Sequence, residues 1–219
     1  MSEGEDRESM SPEGIEDAVA LCLGRYWADS RHGRQVARLA LMLFDDLREL
    51  HEMGDEEREY LEYAALMHDI GSGMEKGGHN KRSLKIILED DVLPFSKNER
   101  LIIGNIARYH RDSHPNEAHP HFYDLEPADK WTVSLCAALL RIAEGLDCTH
   151  SSIVEDVVCT LKKNRVVFIC TSPTLAPAEM KAARLKSSLF VEIFRKKVHF
   201  ENAVVEWGGR ERMTADQQG

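Results

Sequence analysis

A histidine and an aspartate stand side by side, His68-Asp69, inside the otherwise apolar run Ala-Ala-Leu-Met-His-Asp-Ile-Gly at 64–71. No other feature limits the fold as much. An imidazole and a carboxylate placed where a helix should pack need a partner, because burying either without compensation is costly. Adjacent helical residues point about 100° apart, so both reach one ion only where the helix opens out at its end. Gly71 and Gly73 predict such an ending, and the last carbonyls of a helix favour a cation there.

The segments on either side read as helices. Ser11-Pro12 starts one that carries Ile15, Val19, Cys22, Leu23 and Tyr26 at helical spacing. A second begins near Arg31 and holds Val36, Leu39, Ala40, Leu43, Phe44 and Leu47 on one stripe. Asp55 is expected to cap a third that runs to His68. A glycine-rich loop at 71–78 precedes a fourth with Leu84, Ile87 and Leu88, and the Ser96-x-x-Glu99 capping box opens a fifth ending near His110. Residues 112–127, with three prolines and three histidines, read as a long loop, and 128–148 as a sixth helix.

The apolar period then changes. Runs rich in β-branched residues at 154–161 and 165–171, split by Lys-Lys-Asn, predict a hairpin. A helix at 177–194 and a strand at 198–206 complete a β-β-α-β unit. The expected organisation is a helical domain at 11–150, a small α+β appendage at 151–207 packed on it, and disordered tails at 1–10 and 208–219. The fold class is mostly α.

Composition narrows the function. Acidic residues outnumber basic ones 38 to 28, for a net charge of -10, so no nucleic acid is expected as a partner. Five scattered cysteines with no C-x-x-C spacing suggest neither a disulfide framework nor a thiolate zinc site. No stretch is long and apolar enough for a membrane span, and the acidic N-terminus lacks an apolar core, so the protein is expected to be cytoplasmic, with no membrane partner.

Several titratable side chains extend the buried stripes. His32 lies four residues before Val36, His110 four after Ile106, and Asp147 four after Ala143 and seven after Leu140. Taken singly, a histidine at the edge of an apolar stripe is more often hydrogen-bonded and inert. Asp147, in Ile-Ala-Glu-Gly-Leu-Asp-Cys, is harder to bury alone, and the joint pattern points to a divalent ion. His51, His150 and His199 read as ordinary, and the loop histidines at 114–121 fit no ligand spacing.

The order His32, His68-Asp69, Asp147 resembles the H...HD...D signature of the HD superfamily of metal-dependent phosphohydrolases. Five segments in order, Arg-His-Gly-Arg-Gln-Val-Ala (31–37), Leu-Met-His-Asp-Ile-Gly (66–71), Gly-His-Asn-Lys-Arg-Ser (78–83), Arg-Tyr-His-Arg (108–111) and Leu-Arg-Ile-Ala-Glu-Gly-Leu-Asp (140–147), resemble more narrowly the C-terminal domain of the exopolyphosphatase and guanosine pentaphosphate phosphatase family. The resemblance implies an HD helical bundle in which His32, His68, Asp69 and Asp147 hold one ion. His79 and His110 stand where two-metal members carry further histidines, with Asp69 placed to bridge. The ion would be Mn, Mg, Fe, Ni, Co or Zn. The family's N-terminal actin-like phosphatase module is not in this sequence, so chemistry is expected from the HD site itself. Many HD enzymes place a phosphate-binding lysine after His-Asp-Ile-Gly, where this chain has Ser72; Lys76 or Lys81 is the expected substitute.

The expected reaction is hydrolysis of a phosphate ester or anhydride, on a nucleotide, guanosine polyphosphate or polyphosphate-like substrate, with Asp69 orienting the attacking water. Lys81, Arg108, Arg111 and Arg141 lie beside the ligand segments and are candidates for phosphate contacts, although each is as readily a surface ion-pair partner. Arg141 is favoured because it sits in an apolar helix, with Glu144 its expected structural partner. Two other readings remain open: a non-catalytic anion-binding module that forms a homodimer through its appendage, and a two-iron oxygenase using the same ligands.

Overall fold

The computed structural model describes residues 10–73 and 78–205. The helical part comprises α1 (Pro12–Arg25), α2 (Ser30–Asp46), a single turn α3 (Arg48–His51), α4 (Asp55–Met67), α5 (His79–Glu89), α6 (Lys97–Arg108), a single turn α7 (Pro120–Tyr123) and α8 (Pro127–Gly145). The appendage follows as β1 (Asp156–Leu161), β2 (Arg165–Ser172), α9 (Pro177–Lys186), α10 (Ser188–Phe194) and β3 (Lys197–Val204).

Local chemistry explains the helix boundaries. Asp29 caps α2, its carboxylate accepting the N–H groups of Arg31 and His32 at 3.1 Å each. The α6 capping box forms as the sequence suggests: Ser96 Oγ accepts Glu99 N–H (3.3 Å), and Glu99 Oε2 accepts Ser96 N–H (2.7 Å). The expected cap at Asp55 is corrected by one residue, since Gly54 is the N-cap and Asp55 opens the helix, while Glu57 reaches back to Gly54 N–H at 2.8 Å. The long loop contains the proline-started turn α7. The single helix expected at 177–194 is two, because Ser187 turns its hydroxyl onto the Arg184 carbonyl (2.8 Å) and competes with the helical ladder.

The core is one apolar cluster. Leu39, Leu43 and Phe44 of α2, Leu61 and Met67 of α4, Ile87 of α5, Ile103 and Ile106 of α6 and Leu139 and Leu140 of α8 are all fully buried in it. The expected strand at 198–206 runs from Lys197 to Val204; Glu206 and the expected tails lie outside the described residues, except Met10, which is partly buried against the core. The sheet order is β1-β2-β3, with β1 antiparallel and β3 parallel to β2, so α9 and α10 form the crossover that a parallel pair requires. Phe168 and Phe200 stack across β2 and β3, and Phe190 of α10 meets Phe168 edge to face.

The appendage is tied to the bundle at two places. Cys159 N–H at β1 donates to Asp46 at the end of α2 (2.8 Å), and Gln35 Nε2 donates to Val154 O (2.6 Å). On the other side α9 lies against α8 so closely that a Cβ on Gly145 would fall 2.6 Å from Ala183 Cα. Only a glycine permits that approach.

Candidate metal centre

Two more close approaches bring the ligand segments together. A Cβ on Gly33 of α2 would lie 2.8 Å from the Leu66 carbonyl of α4, so the helices cross where His32 and His68 can face each other. After His68, the last residue in helical conformation (φ -56°, ψ -34°), the chain turns back and Gly71 packs on the start of α5. Gly71 N–H donates to Ser83 Oγ (3.1 Å), Arg82 Nε donates to Gly71 O (3.0 Å), and a Cβ on Gly71 would meet the His79 carbonyl at 2.7 Å. Gly71 is needed for contact rather than for a left-handed backbone. The consequence is that His79 stands over Asp69.

Hydrogen bonds at the back of each ring decide which nitrogen faces the interior. His68 Nδ1 lies 2.7 Å from Ala65 O and His110 Nδ1 lies 2.6 Å from Ala107 O. A carbonyl only accepts, so both rings carry the proton on Nδ1. Burial holds both rings neutral, pulling His68 down to about 4 and His110 well below the usual imidazole value. Their Nε2 atoms therefore present bare lone pairs. His32 follows the same rule: its Nδ1 donates to Asp147 Oδ2 at 2.8 Å, and its Nε2 points inward.

Those inward atoms are orphaned. His32 Nε2, His68 Nε2 and Asp69 Oδ1 are buried and make no hydrogen bond. Asp69 Oδ1 lies 3.1 Å from His79 Nε2 and 3.5 Å from His110 Nε2, and the two nitrogens are 3.4 Å apart. Donor atoms about 2.1 Å from one ion are spaced by roughly 3.0 to 3.4 Å in octahedral or tetrahedral arrangement, which this triangle matches. Asp69 Oδ1 and the bare His110 Nε2 are two electron-rich atoms 3.5 Å apart, a contact that a cation between them would relieve.

A second group extends from the other side of Asp69. His32, Asp69 and His150 also bring one donor atom each within 4.8 Å of one another. The rings of His32 and His68 are 5.1 Å apart and those of His68 and His110 4.9 Å, so the histidines form a continuous row with Asp69 at its middle. Asp69 keeps about a quarter of its side-chain surface exposed, which opens the row to solvent. The residues present fit one divalent ion, and the shared carboxylate fits two.

Every expected site residue but Lys76 falls among the described residues. Asp69, His79 and His110 form the triangle; His32 and His68 adjoin it. Asp147 sits behind His32, with Oδ1 accepting Ser152 N–H (2.7 Å) and Oδ2 held by His32. Arg111 Nη1 is 3.3 Å from His79 Nε2. Arg141 is buried and donates to Tyr109 O at 2.9 Å, while its Nε finds no partner. Glu144, its expected counter-ion, pairs with Lys186 of α9 instead. Arg108 is buried with its guanidinium over the Tyr109 ring, 5.4 Å from the centroid. Lys81 is on the exposed face of α5, and Lys76 lies outside the described residues.

Two residues were missed by sequence reading. His150 stacks on His32, ring centroids 3.7 Å apart, from a left-handed position (φ 56°) in the turn after Asp147. Its only signal was the spacing Asp147-x-x-His150. Lys186 enters from the appendage, which no periodicity in α9 announces.

Comparison with known proteins places the chain. The family model described as Ppx/GppA phosphatase, domain III, matches residues 16–180. The chain belongs to that family. Over 119 residues, half of this chain, it is 32% identical to a guanosine-5'-triphosphate,3'-diphosphate pyrophosphatase of Vibrio vulnificus (strain YJ016). The match takes in 24% of that relative, so the chain spans only about a quarter of the longer protein. Among the described residues no helix is long and apolar enough to cross a membrane.

Proposed function

We propose that this chain is a divalent-metal-dependent phosphohydrolase with an HD-type helical domain, acting on a phosphate ester or anhydride such as a nucleotide, a guanosine polyphosphate or polyphosphate. The observation that carries the reading is the set of buried atoms Asp69 Oδ1, His32 Nε2 and His68 Nε2, none of which makes a hydrogen bond, together with His110 Nε2, turned inward by the bond at its Nδ1. In this reading His79, His110 and Asp69 hold one ion, and His32, His68 and Asp69, with His150 at the rim, hold the other. When bound, a divalent ion supplies Lewis acidity, activating water near neutral pH and polarising a phosphoryl oxygen.

The chain's own residues do the rest. Asp147 fixes the His32 tautomer and orientation, as carboxylates commonly do behind metal-binding imidazoles. Asp69 belongs to both donor groups and sets their separation. Arg111, with nearly half its side chain exposed beside His79, is placed to take the charge of an incoming phosphate.

The test is metal analysis of the purified full chain, followed by a panel of phosphate esters, nucleotides and polyphosphate. Bound Mn, Fe or a similar ion and turnover are expected in the wild type, and both are expected to fall in Asp69→Ala. Unchanged metal content and turnover in that variant would refute the reading. One observation favours a second reading, since the matching family model is that of one domain and the match takes in about a quarter of the relative's length. A protein that binds polyphosphate but hydrolyses nothing would be an anion-binding module. A mixed-valent two-iron centre that reacts with oxygen would be an oxygenase.

A further inference from the structure

Helix α8 and the turn that ends it present three charged residues at intervals of three, Arg141, Glu144 and Asp147, and a different element answers each. Arg141 donates to Tyr109 O beside His110, Asp147 holds His32, and Glu144 pairs with Lys186 from α9. The placement of Lys186 is enforced by packing: Gly145, next to Glu144, touches the backbone of Ala183, one turn before Lys186. The appendage thus carries the lysine to the stretch of α8 just after Arg141 and just before Asp147.

The charges gathered there balance only while no metal is bound. Lys186 is near enough to Arg141, Arg111, Asp69 and Asp112 to feel the charge of each, and its own charge bears on His68 and His110. Arg141 is more than nine-tenths buried, has no acid within ion-pair distance among the described residues, and leaves Nε without an acceptor. Glu144 pairs with Lys186 and Asp112 with Arg111 (3.4 Å), so Arg141 is the one of the three cations without an ion pair among the described residues. Three cations against Glu144, Asp69 and Asp112 balance by themselves, so a divalent ion held at Asp69 would leave the site short of negative charge.

We infer that Lys186 is an anion-binding residue of this site: a phosphoryl oxygen of the substrate displaces Glu144 from its ammonium group and is held jointly by Lys186, Arg141 and Arg111. The inference rests on the proposed phosphohydrolase reading and gives the appendage a direct part in substrate binding. Burial and the two guanidiniums pull Lys186 down to about 8, so it still carries its charge at neutral pH. A lysine fits the role as a compact charge on a stem long enough to move between two acceptors.

The test uses inorganic pyrophosphate as the probe, titrated calorimetrically into the full chain with Mn present and after chelation, alongside metal content and thermal melts. Lys186→Met is expected to weaken pyrophosphate binding by roughly ten- to a hundredfold, the loss of one charge-assisted hydrogen bond, with metal content unchanged. Lys186→Arg is expected to recover most of it. Glu144→Gln removes the competing carboxylate and is expected to bind pyrophosphate as tightly as the wild type or more so. That variant keeps the proposal testable if Lys186→Met folds poorly, because a purely structural pair would make Glu144→Gln lose binding as well.

Wild-type affinity in Lys186→Met, equal loss in both variants, or no pyrophosphate binding by the wild type would each overturn the inference. Metal bound normally with binding indifferent to Lys186 defeats this inference alone. Lys186-dependent binding by a protein that takes up no metal defeats the phosphohydrolase reading and leaves the anion site standing.

Discussion

Residue chemistry here is decided by what lies behind each ring. His68 and His110 spend Nδ1 on backbone carbonyls and His32 spends it on Asp147, so all three are committed to Nε2 before any ligand arrives. Asp147→Asn removes the carboxylate that holds His32 and leaves its side chain serving Ser152 N–H with one carbonyl only. It is expected to cost about ten- to a hundredfold in metal affinity, the usual penalty behind a ligating imidazole, read by titration against a competing chelator. Asp69→Ala, which removes a donor from both groups, is expected to cost more. His51 gives a pH prediction independent of the site. Its Nε2 donates to Phe44 O (2.8 Å), its Nδ1 accepts Met53 N–H (3.0 Å), and burial holds it below the usual imidazole value. The unfolded chain then binds the proton more readily than the fold, so the stabilisation is complete above the ordinary histidine value of about 6.5 and is lost as pH falls below it. Melting temperature is expected to drop from pH 7 to pH 5, less steeply in His51→Gln; equal slopes would remove His51 as a cause.

At the scale of elements, the site is built by helices crossing at small residues. Gly33 lets α2 approach α4, Gly71 seats the turn after His68 on α5, and Gly145 lets α9 lie on α8. In the sequence each reads as helix interior or turn, and their value appears only when the facing backbone is known. Gly145→Val would press a branched side chain into the Ala182–Ala183 backbone and is expected to destabilise the fold by about 1–3 kcal/mol, measured by denaturant unfolding. Pyrophosphate affinity would fall with it if Lys186 is displaced. Gly24→Ala is the control, because a Cβ there meets nothing within 4 Å. A Gly145→Val variant as stable as Gly24→Ala would mean that α9 does not depend on this contact. The start of α6 was legible in the sequence, and those of α2 and α4 to within a residue, because caps and apolar stripes are local. The break at Ser187 was not, since one hydroxyl turning onto one carbonyl leaves no mark on the periodicity.

For the whole molecule, an ion that binds only the folded chain stabilises it by mass action. At a hundred times its Kd the gain is about 2.7 kcal/mol, a rise of roughly 5 to 10 °C in melting temperature for a chain of this size. Stripping metal with a chelator is expected to reverse the shift in the wild type and to leave Asp69→Ala unmoved. No metal-dependent shift in the wild type would count against the centre. The sequence by itself determined that the chain is mostly helical, that a β-rich unit follows, and that His32, His68, Asp69, His110 and Asp147 interrupt apolar stripes, because period and polarity are properties of neighbouring residues. Tertiary structure alone decided that Asp147 stands behind His32, that His150 joins the row, and that Glu144 answers Lys186 rather than Arg141. Each of these contacts joins residues whose partner is chosen by which helices cross and at what depth. Covalent spacing along one chain carries no measure of that distance.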